Sequence, residues 1–419
     1  MIPKSVFIFI FCAAALTPAR AAEPTGKSRM SLAEAVSTAL RNNPELRVFE
    51  AQIGGAKGAV TTARTWDNPD LLLAPGSRVT REDGRRETVF HGCFELNQTF
   101  KFPGKRQLEI AIAQRHVELR ELALEGFRFQ LAARVRKAFY QMLAAGQVID
   151  LRTEQVESAK VFVASAQKRA ESGYASDFET LKSQADLIAA TKALQQAQGE
   201  VITARVTLNA LMDRNPSAPL EISGSLENLT PPGTTRDYVA LAMARNPSLR
   251  AQIREGDLAG LHLSSAKLSR RPDLKIGPQF EYTDAEQTIG LGFSLPLPLW
   301  DQKKGEIEKA TAEQRRALAE VDKLRAEIAG EVTVAASSLQ FAREAAALYT
   351  PELLRHLRAF VAQAEQGYTQ SSTTLLIYLD ARRTYFDTLS DYYSALAKIA
   401  ASRAELEAAI GVPLDTQKP

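Results

Sequence analysis

Two hydrophobic periods alternate along the chain, and each occurs in both halves. Leu124, Phe127, Leu131, Val135, Ala138 and Met142 recur at spacings of three and four, as do Leu318, Val321, Leu324, Ile328, Val332, Ala335 and Leu339. Such stripes are seams for packing one helix on another. No proline lies between Pro103 and Pro216, and alanine, leucine, glutamine, glutamate and arginine dominate there, all good helix formers. The pattern predicts one helix from Gly104 to about Ser172, ~100 Å long at 1.5 Å per residue. No globular core needs that length. In the second half Pro351 falls within the corresponding helix and predicts a kink there.

The second period is two. Over Ile276 to Thr283, Ile276, Pro278, Phe280 and Tyr282 share one face, and Gly277, Gln279, Glu281 and Thr283 share the other. After a turn at Asp284-Ala285-Glu286, Ile289, Leu291, Phe293 and Leu295 alternate with Gly290, Gly292 and Ser294. In the first half Phe90, Phe94 and Leu96 alternate with His91, Cys93, Glu95 and Asn97, beyond a turn near Asp83-Gly84. Both stretches read as hairpins, apolar on one face and small or polar on the other. Alternation alone slightly favours soluble hairpins packed on the helices; the context reverses this. Four strands cannot close a barrel around a lumen, and open edges are not tolerated in lipid. Self-association would remove the edges.

The order of elements is itself repeated. Asn43-Pro44-Glu45-Leu46-Arg47 returns as Asn246-Pro247-Ser248-Leu249-Arg250, a spacing of 203 residues (246 − 43). Pro69-Asp70-Leu71 returns as Pro272-Asp273-Leu274 at the same spacing, and Leu181, Leu208 and Ala210 return as Leu379, Leu406 and Ala408, 198 residues on (379 − 181). In each copy a short helix (Ser31 to Asn42; Arg236 to Arg245) precedes a second one opened by Pro44 or Pro247, a residue tolerated in the first helical turn. The predicted organisation is a leader over 1–21, a first repeat over 22–231 (hairpin about 70–102, helical hairpin about 104–213) and a second over 232–419 (hairpin about 273–298, helical hairpin about 304–411). The joint falls near Thr230-Pro231-Pro232-Gly233.

Composition then excludes several classes. Lys4, the apolar run from Val6 to Leu16 and Ala19-Arg20-Ala21 have the layout of a secretory signal peptide. Cys12 follows Phe11 rather than a small residue, so a lipid anchor is not indicated. Loss of Cys12 with the leader would leave Cys93 alone, without a disulfide partner. The formal charge of +3 falls to about +1 without Lys4 and Arg20, which gives no electrostatic case for nucleic acid. No Gly-rich phosphate loop, nucleophile elbow or His-Glu-x-x-His occurs, and Glu118 and Glu121 read as solvated helix faces. The reading is of a protein that is not an enzyme and carries no cofactor. His91, His116, His262 and His356 are scattered in sequence, so no metal site is predicted.

These features resemble the TolC-type outer-membrane efflux factors over essentially the whole chain after the leader. The resemblance rests on the two Asn-Pro helix starts, on Gln98-Thr99-Phe100-Lys101-Phe102-Pro103-Gly104-Lys105-Arg106 leaving the first hairpin, and on Phe293-Ser294-Leu295-Pro296-Leu297-Pro298-Leu299-Trp300 leaving the second. Gly173-Tyr174-Ala175-Ser176, with Leu181 beyond it, and Leu379-Asp380-Ala381 add to it. Phe-Pro-Gly-Lys-Arg is most similar to the cobalt–zinc–cadmium and copper–silver branch. The resemblance implies a mainly α fold with a membrane β part: a homotrimer in which each chain gives four strands to a twelve-stranded barrel above a periplasmic helical tunnel. It implies as partners a periplasmic adaptor, an inner-membrane pump of the RND type and outer-membrane lipid, with heavy-metal cations as plausible cargo.

It also implies site residues. Arg169, Gly173, Tyr174 and Ser176 match the family's periplasmic tip, where an adaptor docks. Gly367, Tyr368, Ser371 and Ser372 form the second tip, which departs from the pattern at Ser371, where glycine is usual. Asp380 is the candidate gate residue, one carboxylate per chain in a three-fold ring; Ile377 stands where some relatives carry a second acid. Two alternatives stay open: a drug-efflux or type I secretion duct of the same family, and, from a different class, a soluble periplasmic coiled-coil spacer or adaptor.

Overall fold

A computed structural model describes residues 29–82, 85–173, 176–226, 234–283, 286–370 and 372–414. The leader, the joint near Thr230-Pro231-Pro232-Gly233, the turn residues Asp83, Gly84, Asp284 and Ala285, and the tip residues Tyr174 and Ser371 lie outside the described residues. The first half runs α1 (Leu32–Asn42), α2 (Pro44–Arg64), β1 (Asp70–Glu82), β2 (Arg85–Phe100), α3 (Lys105–Glu171) and α4 (Asp177–Leu211). The second runs α5 (Thr235–Arg245), α6 (Pro247–Leu268), β3 (Leu274–Thr283), β4 (Gln287–Ser294), α7 (Lys304–Ala347), α8 (Pro351–Thr369) and α9 (Leu375–Ile410).

Helix α3 is a single helix of 67 residues. Its counterpart differs from the expectation of a kink: Pro351 does not bend a continuous helix but starts a new one. Thr350 caps α8, its hydroxyl accepting from Leu353 N at 3.1 Å, and Pro351 occupies the first turn, where its missing N–H costs nothing.

The Asn-Pro repeats have a structural cause beyond the tolerated proline. Asn43 accepts from Glu45 N at 3.0 Å, capping α2, while its amide donates to Leu211 O at 3.1 Å at the end of α4. Asn246 accepts from Ser248 N at 2.9 Å and donates to Ala409 O at 2.9 Å, near the end of α9. Each buried asparagine thus starts one helix and ties down the last turn of the long helix returning to it. Around each tether sits an apolar core. One contains Leu131, Val135, Phe139, Leu208 and Met212; the other contains Val332, Leu339, Leu406 and Ile410.

The four strands form one antiparallel sheet in the order β1-β2-β3-β4. Pairings such as Leu73↔Phe94, Phe94↔Phe280 and Phe280↔Ile289 continue across it. Directly opposed residues share a face. One face therefore carries Leu71, Leu73, Phe94, Leu96, Ile276, Phe280, Ile289, Leu291 and Phe293, and the other carries His91, Cys93, Glu95, Asn97, Gln279 and Glu281. The first and last strands are its edges, each with one unpaired side within the protomer.

Candidate functional site

The sheet's apolar face is uncovered. Ile289 is 80 % exposed and Phe293 66 %, and Leu73 and Leu291 are also exposed. Beyond β4, Leu295, Leu297 and Leu299 are exposed and Trp300 is 92 % exposed. A contiguous apolar surface of this kind marks contact with lipid or another chain. Hairpins packed on their own helices would have buried it. The opposite face is polar: Asn97 Nδ2 donates to Glu95 Oε1 at 2.6 Å, and His91 stands beside Glu281, 3.6 Å from its Oε1 and beyond hydrogen-bond distance. Apolar outside and polar inside is the arrangement of a membrane strand lining an aqueous lumen.

Where sheet meets helices, the two Pro-Asp-Leu copies cross-link the halves. Asp70 pairs with Lys275 at 3.2 Å, and Asp273 Oδ1 accepts from Lys105 Nζ at 2.8 Å and from Phe102 N at 2.7 Å. Arg106 lies over the Trp66 ring at 4.5 Å. Lys105 thus fastens α3 to the segment entering β3, and Arg106 fastens it to the segment between α2 and β1.

At the far end the chain reverses twice. The first reversal uses Gly173 at φ 76°, in the left-handed region, followed by Ser176, whose hydroxyl caps α4 by accepting from Glu179 N at 3.4 Å. At the second, a Cβ on Gly367 would lie 2.3 Å from Thr373 Oγ1; glycine lets the turn close, and Gly367 O accepts from Ser372 N at 2.8 Å. Arg169 bridges the two tips: its guanidinium donates to Tyr368 O at 2.8 Å and sits 4.7 Å over the Tyr368 ring.

Sequence reasoning missed what surrounds that bridge. Tyr368 stacks on Tyr378 (centroids 5.7 Å, 9°), Phe162 packs edge-on against both, and Tyr368 Oη donates to Glu179 Oε2 at 2.9 Å. Burial, and then the bond to Glu179, pushes the Tyr368 phenol up to about 12. Behind the cluster the buried Arg382 donates to Asp186 Oδ2 at 3.0 Å and to Gln155 O at 3.4 Å, its guanidinium 5.5 Å from the Tyr378 ring centre. Phe162, Glu179, Asp186, Tyr378 and Arg382 come from α3, α4 and α9. The one available signal was an arginine at 382 in the apolar seam of Tyr378, Tyr385 and Phe386.

Asp380 is exposed one turn above the second tip. Arg383 does not neutralise it but turns to Asp387 at 3.6 Å. Among the described residues no group of three side chains is placed to hold a metal ion, and no helix is long and apolar enough to cross a membrane.

An amphipathic sheet with open edges, mounted on paired helices of this length, defines the membrane end of an outer-membrane duct. The comparisons carry this to a family. The outer membrane efflux protein model matches residues 35–214 and 239–412, and the chain belongs to that family. It is 24 % identical to the cobalt-zinc-cadmium resistance protein CzcC of Cupriavidus metallidurans over 385 residues, 91 % of this chain and 90 % of that one. It is 24 % identical to the nickel-cobalt-cadmium resistance protein NccC of Alcaligenes xylosoxydans xylosoxydans over 291 residues, 68 % of this chain and 64 % of that one. A crystal structure of CusC, described as forming a transmembrane channel, superposes with a TM-score of 0.77 at 15 % identity, covering 91 % of this chain and 92 % of that one. The chain is an outer-membrane efflux protein, and the efflux family to which it belongs is one of channels.

Proposed function

We propose that three copies assemble into an outer-membrane channel that exports heavy-metal cations. The observation that carries the assembly is the sheet: four strands with an uncovered apolar face and two open edges. Pairing β1 of each copy with β4 of the next makes a closed barrel of twelve strands (three times four), satisfying both edges in lipid. A soluble spacer would leave the same face in water. The turns at Asp83-Gly84 and Asp284-Ala285-Glu286 then face the cell exterior and the helices form the periplasmic tunnel. Residues 1–21 serve as the export leader, and 22–231 and 232–419 are two copies of one unit. The metal cargo is supported by the relatives named for cobalt, zinc, cadmium and nickel resistance.

In this reading a periplasmic adaptor fed by an inner-membrane pump docks on the tips, at Arg169, Gly173, Tyr174 and Ser176 and at Gly367, Tyr368, Ser371 and Ser372. Phe178 and Leu376 are exposed beside them, apolar surface for a partner to cover. Asp380, exposed and unscreened by Arg383, supplies one carboxylate per chain to the gate ring, which favours cations. Light scattering in detergent tests the assembly: a trimer is expected, and a soluble monomer ends the channel reading. Loss of the gene should sensitise cells to zinc, cobalt or cadmium. Sensitivity confined to hydrophobic drugs would replace the cargo and leave the channel intact.

A further inference from the structure

Two histidines that are distant in sequence meet where α3 packs on α6. His116 on α3 and His262 on α6 stand with ring centroids 6.3 Å apart at an interplanar angle of 57°. Both are exposed. The two helices run antiparallel, with Arg250 on Glu125 at 2.9 Å and Arg254 3.8 Å from Glu118. Their backbones are thus fixed against each other beside the pair. One metal ion bonded to two imidazoles holds the ring centres roughly 5–6 Å apart, given metal–nitrogen bonds of about 2.0–2.1 Å. A side-chain adjustment of about 1 Å brings this pair into that range.

We propose that His116 and His262 form a binding site for a divalent transition-metal ion, of the zinc, nickel or copper class that imidazole suits. The nearby carboxylates are already engaged: Glu118 with Arg115, and Asp257 with Arg254 at 3.0 Å and Arg115 at 3.8 Å. No third histidine, cysteine or carboxylate joins the pair among the described residues, so water completes the coordination and the ion exchanges readily. The arginines and carboxylates around the pair are matched in charge, so the two imidazoles set the preference. A bound ion ties the first half to the second near the ends of α3 and α6 that adjoin the sheet. The site does not depend on metal being the cargo, because it is read by binding and not by export.

The test uses full-length protein in detergent, free of metal and without a polyhistidine tag, titrated with Cu²⁺ and followed by electron paramagnetic resonance, with Zn²⁺ calorimetry in parallel. Expected is one Cu²⁺ per chain with two equatorial nitrogens. His116→Gln and His262→Gln should each weaken binding at least about tenfold, because the second imidazole acts at high effective concentration, and each should leave a one-nitrogen spectrum. His91→Gln, away from the pair, should change neither reading. Unchanged elution on size exclusion shows that a variant is folded; both positions are exposed, and a variant that fails is replaced by His→Asn. A one-nitrogen spectrum in the parent, or undiminished binding when both histidines are replaced, overturns the proposal.

Discussion

At the sheet the large apolar side chains point away from the protomer, with Ile289 80 % exposed. Just behind the tip an aromatic cluster points inward: Tyr378 is 2 % exposed, and even the charged Arg382 is only 3 % exposed. The sheet end is incomplete until lipid and neighbouring edges cover it. The cluster behind the tip is held within one chain, because Arg382 is answered by Asp186, by a backbone carbonyl and by two aromatic rings. One end should therefore respond to changes in its surroundings, and the other to changes in its own residues.

The sharpest test is to strand the buried charge. Asp186→Ala leaves the Arg382 guanidinium without its carboxylate among Phe162 and Tyr378, and should cost about 3 kcal/mol or more. Thermal melting in detergent and protease cleavage near the tips would register it. The double variant Asp186→Ala/Arg382→Leu should recover most of the loss, because an apolar replacement removes the need for a partner. A single variant as stable as the parent would mean that water already reaches Arg382.

At the sheet the same logic reverses with environment. Leu291→Arg on the apolar face should cost about 2–4 kcal/mol in a bilayer if it lies near mid-depth, and should lower the yield of membrane-inserted protein. Thr288→Arg, one residue off that face's alternation, should be far milder. Equal effects would mean that the two faces do not see different solvents.

Smaller effects are expected where the two halves are alike. Asn43→Ala and Asn246→Ala each delete a helix cap and a tether to the returning helix, about 1–2 kcal/mol apiece. The tethers are alike, but Asn246 also accepts from Leu249 N at 3.2 Å, so its loss should be the larger by up to about 0.5 kcal/mol, and the two should add, as separated sites do. Melting of the single and double variants would check this. A large asymmetry would mean that one half carries the fold.

These contrasts explain what the sequence could reveal. The strand faces were legible because alternation is a local property: Ile276, Pro278 and Phe280 need no knowledge of any partner to share a side. The long helices were legible from Leu124 to Met142 for the same reason. The Asn-Pro motif announced a helix start, but its tether reaches Leu211, 168 residues away, and no spacing rule encodes that. Arg382 and Asp186 are 196 residues apart, and the pair forms only because α4 and α9 pack together near the tip. The break before Pro351 was legible in principle: Thr350-Pro351 is a cap followed by a first-turn proline, and reading the proline alone turned a start into a kink. Gly173, Ser176 and Gly367 were placed at the reversals from short motifs. Tyr368 was named among the tip residues, yet its partners Glu179, Tyr378 and Phe162 come from three other segments.

Tyr368 gives the finest test of that cluster's self-sufficiency. Its phenol is raised to about 12, first by burial and then by the bond to Glu179. In the unfolded chain it titrates near about 10. The folded state therefore keeps a proton that the unfolded state releases between these values. The stability this provides is fully present below about pH 10 and is lost as pH rises through 10 towards 12. Tyr368→Phe keeps the ring stacked on Tyr378 and removes only the hydroxyl. At neutral pH it should cost about 1 kcal/mol, the worth of one hydrogen bond to a partly solvated carboxylate. Above pH 10 the difference between variant and parent should shrink, because the parent loses what the variant never had. Melting temperatures taken from pH 8 to pH 11 would measure that convergence. Parallel curves would mean that the phenol is already in contact with water and that the tip is held by its rings and by Arg169 alone.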